Sequence, residues 1–168
     1  NVSTVTGGAS WGWASPALPG PVAGVGLSLG WSSGTTVPRG LESALPGGVP
    51  SGWRIGAAAG SEWAGLVEAG SGFAQVVSWS GTVLVFERIA SGLWVQRTGV
   101  GGAGFVNDLQ RAADGSWSFT DTQGVSTRFV AGRAVQVSAA GQAVSTLTWD
   151  ARGRIARIAN GVGRSMDL

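Results

Sequence analysis

Four residue types are missing from this chain: cysteine, histidine, tyrosine and lysine. Without cysteine there is no disulfide framework and no thiolate centre, and the redox compartment is left open. Without histidine or lysine, a serine or threonine nucleophile lacks its usual base, so the chain is read as non-enzymatic. All eleven basic residues are arginine. Nothing except the amino terminus titrates between the carboxylates and arginine, so the pI of about 11.0 reflects missing groups, and the net charge of +2 is the better guide. Asp108, Asp114, Asp121 and Asp150 interrupt the C-terminal arginines. An uninterrupted basic stripe is what a nucleic-acid surface needs, so no nucleic-acid partner is expected. No run approaches the roughly 18 apolar residues of a membrane-spanning helix. No cofactor is expected either. A metal site would need Asp and Glu alone, and no Asp-x-Asp-x-Asp-Gly loop is present.

What the chain has in quantity is glycine, 30 residues, with 43% apolar residues and nine tryptophans. That composition folds, because disordered chains are poor in apolar residues and rich in charge. Towards the C-terminus glycines recur at 115, 124, 132, 141, 153 and 161. Steps of that size fit one short strand plus one turn. A helix of three or four turns would not survive glycine this frequent, at roughly 1 kcal/mol each. The predicted class is all-β and mostly antiparallel, with short hairpin repeats forming a curled sheet. Strands are expected at 9–14, 24–32, 52–57, 63–68, 73–79, 82–89, 92–98, 105–111, 116–120, 125–130, 133–138, 143–149 and 154–159. A further strand at 2–6 would pair with 9–14 across Gly7-Gly8, and the Pro/Gly-rich stretch 35–51 reads as an irregular crossing loop. The organisation expected is one continuous unit in three parts. These are N-terminal strands with the crossing loop (1–51), a central sheet (52–111) and a repeat ladder (112–168).

Side-chain alternation predicts which faces are covered. Trp117 and Phe119 share one face of their strand, with Ser116, Ser118 and Thr120 on the other. Residues 82–89 are apolar on both faces, Val83 and Val85 against Leu84 and Phe86, and should be covered on both. Trp117, Phe119, Phe129, Leu147 and Trp149 are expected to line one continuous apolar surface.

The final rungs read Thr148-Trp149-Asp150-Ala151-Arg152-Gly153-Arg154-Ile155 and Asn160-Gly161-Val162-Gly163-Arg164. Trp149, Asp150, Gly153, Arg154 and Ile155 spell an aromatic residue, Asp, two variable residues, Gly-Arg and an aliphatic residue. Phe119, Asp121 and Gly124, and then Phe129, Gly132 and Arg133, repeat parts of it. This pattern resembles the Rhs/YD-repeat family, with Trp149 where the family writes Tyr. The lead Leu18-Pro19-Gly20-Pro21, the strand 25–34 ending Gly30-Trp31-Ser32-Ser33-Gly34, and Gly52-Trp53 are similar to the opening segment of bacterial Rhs shells and toxin-complex B subunits. The resemblance implies a structural role. Such proteins, teneurin-like YD shells among them, coil a β-sheet into a hollow shell around a C-terminal polypeptide, often a toxin. It implies a secreted or cell-surface bacterial protein whose partners are other segments of the same shell, or neighbouring chains, through edge strands. The sequence stops at Met166-Asp167-Leu168, where another rung would begin, so the expectation is one segment of a longer assembly.

Two groups of residues compete for function. Asp121 and Asp150 suggest an acid dyad, and related shells carry an aspartyl self-cleavage centre, but this chain has no match to that centre. Asp beside Gly ordinarily caps its own turn, and that is the reading adopted for Asp114, Asp121 and Asp150. Gly99-Val100-Gly101-Gly102-Ala103-Gly104 has the glycine density of a phosphate loop but no lysine, and reads as a connector. The tryptophans give the alternative function, a secreted carbohydrate- or surface-binding β-domain. Trp11, Trp13 and Trp31 would lead a stacking platform completed by Trp53, Trp63 and Trp79, since aromatic faces bind apolar ring surfaces.

Overall fold

The structure is a computed structural model that describes residues 9–19, 25–33, 40–47, 52–97, 107–140 and 142–168. Fourteen strands are present among them: β1 (Ser10–Ala14), β2 (Gly26–Ser32), β3 (Trp53–Ala58), β4 (Trp63–Glu68), β5 (Phe73–Ser78), β6 (Val83–Ala90), β7 (Leu93–Arg97), β8 (Asp108–Arg111), β9 (Trp117–Thr120), β10 (Val125–Val130), β11 (Arg133–Ala139), β12 (Gln142–Trp149), β13 (Ile155–Asn160) and β14 (Ser165–Asp167). A single 3-10 turn, Glu42–Ala44, is the other element. The chain is all-β and its ladders are antiparallel. The expected hairpin strand 2–6 and the glycine run 99–104 lie outside the described residues.

Two sheets form. The smaller has the order β1-β2-β3, and the larger joins the other eleven strands. The larger sheet branches at β11. Along one edge β11 pairs with β10 from Arg133 to Ala139. The other edge is shared, β12 taking Gln136 to Ala139 and β4 meeting Arg133 through Gly65. Gly65 carries this junction because it has no Cβ: one built there would lie 2.6 Å from the Gly132 carbonyl and 2.8 Å from the Ala44 Cα. The Leu66 N–H then donates to the Gly132 carbonyl at 2.9 Å.

Branching divides the interior in two. Core one packs Val25, Leu41, Ala44, Leu45, Ala57, Trp79, Leu147, Ile155 and Ile158, between the small sheet and β12-β13. Core two packs Trp63, Leu66, Val76, Phe86, Trp94, Leu109, Trp117, Phe119 and Phe129, between β4–β7 and β8–β11. The path β8-β9-β10-β11-β4-β5-β6-β7 curls until its ends approach, where Trp94 and Trp117 meet edge to face at 4.8 Å and Asn107 Nδ2 donates to Gln96 Oε1. It does not close into a barrel.

The single apolar surface expected of the ladder is therefore corrected. Trp117, Phe119 and Phe129 face core two, whereas Leu147 lies in core one with Trp149 against it. The reason is the branch: β12 leaves β11 on the far side from β10, and bulges between Val137 and Ser138 and between Thr148 and Trp149 re-aim the side chains beyond them. The described residues of the expected loop 35–51 are irregular apart from the 3-10 turn. Among its described residues, Leu41, Ala44 and Leu45 are buried plugs of core one. Only the first half of strand β6 is covered, Val83 packing towards core one and Leu84 and Phe86 towards core two, while Arg88, Ile89 and Ala90 are exposed. β14 has no counterpart in the sequence reading, because three residues are too few to show alternation.

Candidate functional site

The repeat-motif residues build one turn used again and again. At Ser78, Ala112, Asp121, Asp150 and Asn160 the first residue's N–H donates to the carbonyl four residues on, and its carbonyl accepts from the glycine N–H three residues on, at 2.8–3.1 Å. The glycines are Gly81, Gly115, Gly124, Gly153 and Gly163, all at φ between 76° and 93°. A residue with a Cβ is disfavoured there, so the glycine spacing is a turn spacing. The last turn uses Gly163, not the Gly161 of the sequence reading.

A side chain caps each turn. Asp121 Oδ1 accepts the N–H groups of Gln123 and Val125, and Asp150 Oδ1 those of Arg152 and Arg154. Asn160 Oδ1 does the same for Val162 and Arg164, and Ser78 Oγ for Thr82. Where Ala112 opens the turn, Asp114 supplies the carboxylate from within it, to the Ser116 N–H and hydroxyl. Asn160 was legible as an Asp equivalent, since Asn160-x-x-Gly163-Arg164 repeats Asp150-x-x-Gly153-Arg154. Its amide also donates to the Pro19 carbonyl at 2.9 Å, which a carboxylate would not do. The Phe129, Gly132, Arg133 repeat has no Asp and makes a different turn. Ala131 and Gly132, at φ 49° and 79°, form a two-residue hairpin closed by Val130 and Arg133.

Motif residues from successive rungs also meet. Arg133 lays its guanidinium 5.6 Å from the Trp149 ring centre. A Cβ at Gly153 would lie 2.5 Å from Arg133 Nη2, so the glycine makes room for the arginine. Trp149 donates its indole N–H to the Ala134 carbonyl at 2.7 Å and stacks on Trp79 at 6.2 Å. Phe119 is enclosed in core two, Phe129 beside it, and Ile155 is buried in core one. Arg154 turns outward and pairs with Asp150 at 2.7 Å.

Two carboxylates are held below the ordinary aspartate range. For Asp114 the main cause is the Ser116 hydroxyl bond, followed by the Ser116 N–H; for Asp150 it is the Arg154 N–H. A depressed folded-state value contributes stability that is complete above the unfolded value of about 3.9 and is lost as pH falls through the folded one. Acidification below about pH 4 is therefore expected to loosen the β9 and β12-β13 turns. Asn160 caps its turn without titrating, so the β13-β14 turn is an internal control. Asp150→Asn is expected to keep its fold at neutral pH and to show a shallower acid limb by tryptophan fluorescence. An unmoved acid limb would sink this account.

The tryptophans separate into two sets. Trp11, Trp31 and Trp53 lie directly opposite one another across β1, β2 and β3, with Trp13 two residues from Trp11 on the same face. Trp11 and Trp13 are 52% and 51% exposed, and Trp11 meets Trp53 edge to face at 5.7 Å. Trp63 and Trp79 do not join them, being buried in core two and core one. The expected platform is thus corrected to four residues.

Among the described residues no three acidic side chains gather as a cation site, and no helix is long and apolar enough to cross a membrane. Asp121 and Asp150 each spend one oxygen on their own turns. No protein-family model matches the chain, and no curated protein matches it.

Proposed function

We propose that this chain is a wall segment of an Rhs/YD-type β-shell, structural rather than enzymatic, and that the complete wall encloses a polypeptide. The observation that carries the reading is the interlock of successive rungs: Arg133 of one lies between Trp149 and Gly153 of the next. A unit that packs on its neighbour through residues of its own repeat can be added again without a new interface. The outer edge of β14 supports the same reading. β13 pairs with β12 and β14, and the bonds Asn160 N–H to Arg164 O and Leu168 N–H to Ala156 O point the even residues of β14 inward. Ser165 and Asp167 thus turn their backbone groups outward, where a further strand would pair.

The test is to extend the chain. Joining a second copy of residues 142–164 after Leu168 is expected to slow amide exchange at Ser165 and Asp167 by orders of magnitude, as an edge strand becomes an inner one. Added residues that stay disordered, with exchange at both positions unchanged, would overturn the proposal. The second reading, a carbohydrate- or surface-binding domain, rests on the exposure of Trp11 and Trp13 beside Trp31. Soluble oligosaccharides that shift tryptophan emission in the parent chain but not in a Trp11→Ala, Trp13→Ala double variant would favour it.

A further inference from the structure

The face of the small sheet opposite Trp11, Trp13, Trp31 and Trp53 holds a trough of about 510 Å³, lined by Gly12, Ala14, Gly30, Gly56, Arg54 and Trp79 among others. Gly12, Gly30 and Arg54 are directly opposite one another across β1, β2 and β3, so the row is a glycine floor ending in a guanidinium.

Two independent observations single this row out. The first is the arginine. Arg54 Nη1 donates to the Trp53 carbonyl, while its Nε and Nη2 are buried with no hydrogen-bond partner. Guanidinium N–H groups held out of water with no acceptor are unfavourable unless one arrives. The second is the glycines. Neither Gly12 nor Gly30 has a positive φ, and a Cβ at either would meet only one carbonyl oxygen, at 3.9 Å. Packing among the described residues therefore does not require glycine at these two positions, in contrast to Gly56, whose Cβ would run into Ser28. Glycine on a strand face with none of the described residues packed above it marks a place where another backbone comes close.

We propose that this trough binds an extended peptide segment through an acidic group: its backbone lies over Gly12 and Gly30, and the Arg54 side chain turns its Nε and Nη2 edge from the Gly81 turn, against which it packs, to the carboxylate as a bidentate pair. That fork matches a carboxylate in geometry and charge. Trp79 gives the trough an apolar wall, and Ser28 and Ser80 line it beside Trp79. The assignment is independent of the shell reading.

The probe is acetyl-Gly-Gly-Glu-Gly-Gly-amide against the same peptide with Gln, followed by tryptophan emission and by the Arg54 Nε–H resonance. Saturable binding of the Glu peptide, at least about tenfold tighter than the Gln peptide, is expected, since each factor of ten is 1.4 kcal/mol. Gly30→Val should abolish it without lowering the denaturation midpoint, because the Cβ fits and valine favours a strand. Arg54→Met should abolish it while raising the midpoint, because two buried N–H groups without acceptors are removed. Equal binding of the Glu and Gln peptides, no binding of either, or a Gly30→Val variant that binds normally would overturn the proposal. So would glucuronate competing as well as the Glu peptide, which would assign the acid to a sugar.

Discussion

Phe119→Ala is expected to destabilise the fold by about 3–5 kcal/mol, the range for truncating a fully buried aromatic residue. Phe119 is 0% exposed, at the meeting of the two halves of core two. Its ring lies 5.0 Å from Trp63 and 5.9 Å from Phe86, both edge to face, so β4 and β6 reach β9 through it. Alanine leaves a cavity between two sheet halves whose strands pair through β11 and β4, and the rigid walls collapse little into it. Urea unfolding followed by tryptophan emission measures the loss. A change under about 1 kcal/mol would mean that the halves do not share this core.

Gly65→Ala is expected to be as damaging, at about 3 kcal/mol or more, although it adds only one methyl group. A new Cβ would be driven against the Ala44 and Gly132 carbonyls and the Ala44 Cα. These are backbone atoms, which have no rotamer to move into, and they belong to the 3-10 turn and the β10-β11 hairpin. Relief would require breaking the Leu66 to Gly132 hydrogen bond or lifting Ala44 out of core one. Gly12→Ala is the control, since a Cβ there has room. Equal unfolding midpoints for Gly65→Ala and Gly12→Ala would refute the junction described at β4 and β11.

Capping turns were readable from single residues. Asp121 and Asp150 followed three residues later by glycine identify two of the five related turns, and Asn160 and Gly163 identify a third by the same chemistry. The turn at Ala112 was harder to read, because its carboxylate comes from Asp114, inside the loop. The repeat at Phe129, Gly132 and Arg133 shares residues with the motif but not its geometry, since without Asp the chain takes a two-residue turn. The tryptophan platform was readable only in part. Cross-strand register unites Trp11, Trp31 and Trp53, and no spacing along the chain distinguishes them from Trp63 and Trp79. Arg54 had no sequence signal at all, because what singles it out is the lack of an acceptor around it.

Strand positions and fold class follow from short-range physics. Alternation and turn chemistry act over two to five residues, so 63–68 and 125–130 match β4 and β10 to the residue. Which strand meets which is a different matter. The branch at β11, the division into two cores and the plug of Leu41, Ala44 and Leu45 depend on contacts between residues far apart in the chain. Ser61 bonds Thr127, Ser145 donates to the Ala59 carbonyl, and Asn160 donates to Pro19. Such contacts depend on the shape and volume available once the strands have paired. A local pattern of apolar and polar residues specifies that a face is buried, but not against what, and so only the tertiary structure could divide the ladder's aromatic residues between two interiors.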